Sequence, residues 1–215
     1  MSLKSSLIFL SRLGFLCLIL FLAAGCNTEQ NRTDNNDNEV SEAPANIKSY
    51  FPLTVGSTWV YQGEGNEFAS FSREVLFAKN NLAQIKEDNG GTVMAVVFQV
   101  NDEDITRVYF EGEVYNPENL LETNLPQNDN KTIIKAPIEV GTAWETSDGS
   151  SEIIDLKAKV HTPAGVFEDC LHVQTTGNDY LINEFFKEGI GMVKREYISG
   201  DFRVTSSLQD YTIKQ

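Results

Sequence analysis

Cysteine, histidine and positive charge are all scarce in this chain. Its 215 residues include three Cys, two His and 17 Lys plus Arg against 31 Asp plus Glu. Three cysteines make no disulfide framework. Lys4 and Arg12 are the only charged residues ahead of Cys26, so 15 basic residues face 31 acidic ones after it, a balance of −16. That excludes a nucleic-acid partner, whose phosphates require clustered Lys and Arg, and a basic membrane-binding face. Long apolar runs are also missing. The longest, from Leu13 to Gly25, falls short of the ~20 residues that cross a bilayer as a helix. There is no phosphate-cradling glycine loop, nucleophile elbow or dinucleotide-binding fingerprint. What remains is length enough for one ordinary domain with a sizeable core.

The first residues read as an address. Lys4 and Arg12 precede Leu13 to Leu22, an apolar stretch that ends in Ala23-Ala24-Gly25-Cys26. A basic start, a roughly ten-residue apolar run and small residues at its end describe a secretory signal over residues 1–25. Residues 26–47 follow as a tether. The stretch from Asn27 to Ile47 is rich in Asn, Asp, Glu, Ser and Thr and has no aromatic residue. It buries too little apolar surface to offset the entropy of ordering, and as a coil it spans ~25 Å. The run Asp34 to Glu39 aligns oxygen ligands but lacks the glycine and the distant Glu of a calcium loop, so it reads as a solvated spacer.

Residues 48–215 read as an antiparallel β domain. Ile154, Leu156, Ala158 and Val160 alternate with polar residues, the mark of a strand with one wet face. Val93 to Phe98 is apolar on both faces, as in a central strand. Turn signals at Asn89-Gly90-Gly91, Asp148-Gly149, Thr162-Pro163-Ala164-Gly165, Gly177-Asn178 and Ser199-Gly200-Asp201 suit a meander. Asn116 to Glu122 has room for one short helical turn. The expected class is therefore all-β, a strongly curved antiparallel sheet or half-barrel with little or no helix beyond the signal. In the hairpin closed by Pro163 and Gly165, pairing Val160 with Phe167 sets Leu156 opposite Leu171 and Ile154 opposite Val173. It also opposes Lys159 to Glu168 and Asp155 to His172, and turns Asp169 inward against Ala158, which demands a bulge or a wet end.

An internal repeat is present. Pro52-Leu53-Thr54-Val55-Gly56-Ser57-Thr58-Trp59 matches Pro137-Ile138-Glu139-Val140-Gly141-Thr142-Ala143-Trp144, with Pro, Val, Gly and Trp at identical spacing. It implies two similar corners opening two sheet halves, near residues 52 and 137, with both Trp side chains in the core.

Leu22-Ala23-Ala24-Gly25-Cys26 resembles the lipobox of bacterial lipoproteins, with Ala23 where Leu is more usual. The resemblance implies a diacylglyceryl-modified Cys26 as mature N-terminus, on the outer side of the cell membrane or on an outer membrane if the host has one. Two acyl chains anchor stably at ~0.8 kcal/mol per buried CH₂. Cys17 would leave with the signal, so Cys170 would be the only thiol in the folded body. The segments Phe51-Pro52-Leu53-x-Val55-Gly56-x-x-Trp59, Thr162-Pro163-Ala164-Gly165-x-Phe167-x-x-Cys170-Leu171-x-Val173 and Gly189-Ile190-Gly191-Met192-Val193-Lys194 together resemble a group of uncharacterised bacterial envelope lipoproteins. That group is more distantly similar to the open half-barrel of lipoprotein carriers, in architecture and not in functional residues.

No catalytic set emerges. Cys170 and His172 stand two apart, on one strand face, with His161 nearby in sequence. The hairpin register sets the two histidines ~20 Å apart, too far to share a metal whose ligands lie ~2.0–2.3 Å away. A Cys170–His172 nucleophile lacks an orienting partner, and Glu168 would raise the thiol pKa. Asp102, Glu103 and Asp104 read as a turn, and nothing selects a working carboxylate pair from 31 acids. The expectation is thus a non-catalytic, lipid-anchored envelope protein without cofactor or metal, binding a partner protein or an apolar ligand at a site the sequence does not locate. A carrier using the concave face of a curved sheet is the alternative, and it requires an apolar pocket of ~300–1,000 Å³. An enzyme using Cys170 or two carboxylates is the third reading.

Overall fold

The computed structural model describes residues 46–215. The signal, Cys26 and almost all of the tether lie outside the described residues. The described chain forms one antiparallel sheet of 12 strands, rolled into a nearly closed barrel with two short 3₁₀ turns as its only helical elements. The strands are β1 (Thr58–Glu64), β2 (Phe71–Lys79), β3 (Leu82–Asp88), β4 (Val93–Val100), β5 (Asp104–Glu111), β6 (Lys131–Lys135), β7 (Ala143–Thr146), β8 (Gly149–Thr162), β9 (Gly165–Thr176), β10 (Leu181–Lys187), β11 (Gly191–Ser199) and β12 (Phe202–Thr212). Their spatial order is 6-5-4-3-2-1-12-11-10-9-8-7. Two six-stranded meanders therefore join through β1 and β12, and their free edges, β6 and β7, come round to face each other.

Rolling a sheet this tightly requires bulges, which bend a strand and increase its twist. Six of the eleven ladders shift register, at Val60/Tyr61, Val75/Phe77, Val97/Phe98, Ile105/Thr106, Phe185/Phe186 and three points along β8. Those in β8–β9 correct the simple alternation. Val160 pairs with Phe167 and Asp155 with His172 as expected, but Ile153 pairs with Val173 and Ala158 with Cys170. Ile153, not Ile154, is thus the fully buried residue. Asp169 takes a left-handed conformation (φ 52°) and is exposed, so the inward carboxylate is removed by a bulge. The Lys159–Glu168 cross-strand pair forms at 2.6 Å.

The repeat marks two turns with the same hydrogen bonds. Gly56 N–H donates to Val75 C=O at 2.8 Å, and Gly141 N–H to Ile153 C=O at 2.8 Å. In return Val75 N–H donates to Ser57 C=O at 3.0 Å, and Ile153 N–H to Thr142 C=O at 2.9 Å. Both glycines have positive φ (83° and 93°), a region that other residues enter at a cost. Each turn delivers its Trp into the core: Trp59 Nε1 donates to Ile190 C=O at 2.7 Å and Trp144 Nε1 to Thr132 C=O at 3.1 Å. Trp144 sits on β7 and Thr132 on β6, so this bond spans the seam between the free edges, where the Lys131–Asp148 ion pair also bridges.

Both faces of β4 are covered, which explains its continuous apolar run. Val96 and Phe98 join the barrel core, while Ala95 and Val97 pack outside with Val108, Tyr109 and Leu121. The connection between β5 and β6 supplies that outer cover. Its 3₁₀ turn, Leu120–Glu122, is held by buried Gln84, which donates to Glu118 C=O and accepts from Leu120 N–H, each at 2.8 Å. One end of the barrel is plugged by the other turn, Ile47–Tyr50, capped by the Asn46 side chain. Ile47, the tether's last residue in the sequence reading, is 3% exposed and belongs to the core. Phe51 follows it inward and packs against Phe98, ring centroids 4.8 Å apart.

Candidate functional site

The barrel interior changes character along its length. Near the plug it is apolar. Toward the other end it holds a belt of ion pairs: Arg73–Glu87 at 2.7 Å, Arg195–Glu184 at 2.8 Å, Arg107–Asp129 and Lys131–Asp148. The strands place these charges inward by alternation. Arg73 lies between inward Phe71 and Val75 on β2, and Glu184 precedes inward Phe186 on β10. Sequence reasoning missed this belt, although a charge in the apolar phase of a strand is the signal that marks it.

Burial alone would push the Glu184 carboxyl up. Arg195, then Lys131 and Arg73, reverse this and hold it below the usual carboxylate range. Glu87 behaves likewise, its burial outweighed by Arg73, Arg195 and Arg107. Asp148 is also held low, Lys131 overcoming its burial. The Tyr61 phenol beside them is pushed up to about 12 by burial and donates to Met192 C=O at 2.9 Å. Every buried side-chain nitrogen and oxygen among the described residues has a partner, which a polar interior needs in order to be stable.

Two small voids lie in this interior among the described residues. One void of about 20 Å³ lies among Phe51, Trp59, Tyr61 and Ile85. A second of about 20 Å³ lies among Phe51, Phe98, Arg73, Arg107, Lys131 and Arg195. Each has room for about one water, and neither approaches the volume of an acyl-chain pocket. Larger clefts are outside. A groove of about 450 Å³ runs between the β8–β9 tip (His161, Thr162, Pro163) and the outward side chains Gln62, Glu64, Lys194, Glu196 and Arg203. That tip is docked by Ala164 N–H, which donates to Leu208 C=O at 3.0 Å.

The residues weighed for chemistry do not converge. Cys26 lies outside the described residues. Cys170 is wholly buried, and burial pushes its thiol up to about 11, with Lys187 opposing and Asp169 adding to the effect. Asp169, not Glu168, is the acid that acts on it, because Glu168 turns outward to Lys159. His172 has surroundings of its own. His172 pairs with Phe185, stacks on it with ring centroids 4.2 Å apart, and meets Asn183 Oδ1 at 2.9 Å. Burial lowers its pKa, opposed by the Asn183 bond. His161 is exposed at the hairpin tip, opposite Val166. Asp102 and Glu103 form the β4–β5 turn and Asp104 opens β5; Asp102 pairs with Lys48 at 2.7 Å and Asp104 accepts from Thr106 Oγ1 at 3.0 Å.

No protein-family model matches the chain, and no curated protein matches it. Two solved structures are similar over most of its length. One is a candidate exported protein with a YmcC-like fold from Bacteroides fragilis, 12% identical, TM-score 0.43, covering 75% of this chain and 98% of that one. The other is a candidate lipoprotein from Parabacteroides distasonis, 12% identical, TM-score 0.39, covering 76% of this chain and 98% of that one.

Proposed function

We propose that this chain is exported, acylated on Cys26, and acts by binding an envelope protein at the outer surface of its barrel without turning over a substrate. The observation that carries the binding mode is that the two voids inside the barrel among the described residues, of about 20 Å³ each, are too small for an acyl chain, while the clefts of about 300 and 450 Å³ open at the surface. Contact is then made from outside, where the 450 Å³ groove beside the β8–β9 tip offers mostly polar and charged side chains. The lipid-anchored location rests on the signal-like segment and Cys26 in the sequence. A non-catalytic role is supported by the buried, proton-holding Cys170 thiol and by the His172 imidazole being engaged with Phe185 and Asn183.

Two measurements on protein purified natively from membranes test this reading. Metabolic labelling with an alkyne palmitate analogue should tag the wild type and not Cys26→Ser; equal labelling of both removes the anchor. Intact mass spectrometry under non-denaturing conditions should show covalent acylation and no further lipid. A stoichiometric, non-covalently held lipid would replace the binding reading with the carrier one.

A further inference from the structure

The ion-pair belt surrounds more positive charge than its count suggests. The second void is lined by Arg73, Arg107, Lys131 and Arg195, and by Glu184 as its one carboxylate. The other three balancing acids, Glu87, Asp129 and Asp148, pair with these cations but do not line the void. Four cations and one anion therefore meet at the void in a chain whose net charge is −14.

The hydrogen-bond inventory agrees. A guanidinium carries five N–H donors, and a carboxylate in a bidentate pair takes two of them. Among the described residues, Arg107 and Arg195 each hydrogen-bond to the side chain of a single acid, Asp129 and Glu184. Donors are left over. Arg195 and Arg107 keep 34% and 29% of their side-chain exposure, so a small species can reach them.

We propose that this void is a binding site for a monatomic anion, chloride under physiological conditions. Its size sets the class: about 20 Å³ admits one water or one halide and excludes a carboxylate or phosphate. Its lining sets the sign, since N–H donors on fixed cations favour an anion over a neutral water. The apolar side chains Phe98, Ile133, Phe186 and Met192 complete the walls, and a low-dielectric surround strengthens the attraction.

The test is ³⁵Cl NMR on full-length protein purified in detergent. Bound chloride broadens the bulk line in proportion to site occupancy. Bromide should reverse the excess broadening. Sulfate at matched ionic strength should not, because it does not fit. In Lys131→Met and Arg107→Gln the bromide-sensitive broadening should vanish. No excess broadening overturns the proposal, and so does displacement by sulfate as effective as by bromide, which would mark chloride at the outer surface. The wild-type competition decides the question even if neither variant folds.

Discussion

Glu87→Gln is the sharpest probe of the charged interior. Glu87 and Arg73 meet at 2.7 Å with side chains 17% and 9% exposed. At an effective dielectric of ~20, unit charges at that distance attract by ~6 kcal/mol. Desolvation offsets much of this, so the pair's net worth is small, yet removing one partner strands a buried guanidinium and costs ~3–5 kcal/mol. For a domain of this size each kcal/mol moves the midpoint by ~2–4 °C. Calorimetry at pH 7 should therefore show Glu87→Gln melting roughly 10 °C below wild type. The double variant Arg73→Met with Glu87→Leu removes both charges and should recover most of the loss. The folded-state pKa of Glu87 lies below its ordinary 4.5. Its contribution is thus complete above about 4.5 and lost as pH falls through the lower folded value. Acidification below pH ~4.5 should then destabilise wild type more than Glu87→Gln. A single variant within ~1 kcal/mol of wild type, or a double variant no better than the single, would refute the reasoning.

Three other outcomes follow from the packing. Cys170 should react with a thiol reagent at pH 8 only at the rate of unfolding, because its thiol is wholly buried and its pKa is about 11; reaction within seconds in native buffer would contradict that. Trp144→Phe removes the N–H that donates across the seam to Thr132 C=O. It should cost ~1–2 kcal/mol and speed amide exchange in β6 and β7 before the rest of the sheet, as read by hydrogen-exchange mass spectrometry. Phe51 lines both internal voids, so Phe51→Ala should merge them, cost ~3–5 kcal/mol in chemical denaturation, and create a site for a benzene-sized molecule that wild type lacks.

Strand identity was legible in the sequence because period-two alternation and glycine turns are local signals. The repeated Pro-x-x-Val-Gly-x-x-Trp segment located both corners because a positive φ at Gly56 and Gly141 is a local demand. The bulges were less legible. Nothing in Ile153-Ile154-Asp155-Leu156 announces which isoleucine is buried, since the register slips to satisfy the curvature of the whole barrel. Asp169 was half legible: its clash with the alternating pattern called for a bulge or a wet end without deciding between them, and the bulge is what forms. The ion-pair belt was hidden for a different reason. Arg73 faces Glu87 across the β2–β3 hairpin and Glu184 faces Arg195 across the β10–β11 hairpin, and only the curved sheet turns both pairs into one interior. A lone inward charge reads as a flaw until the hairpin register sets its partner opposite.

The seam shows why this closure differs from the other junction. β1 and β12 join by backbone hydrogen bonds along seven residue pairs. β6 and β7 share no ladder, although only residues 136–142 separate them in the chain. Bare edges of this kind invite pairing with other chains. Here each edge is short, five and four residues, and is turned toward the other, so neither offers a long template. The links that hold them, the Trp144 indole to Thr132 C=O and Lys131 to Asp148, are made by side chains and not by a backbone ladder. Side-chain links tolerate a change in spacing that a backbone ladder does not, because rotamers adjust while N–H and C=O positions are fixed by the strand. Lys131 also lines the cationic void. The spacing of the seam and the geometry of the charged interior are therefore one variable, and any movement of β6 against β7 must change the field inside the barrel.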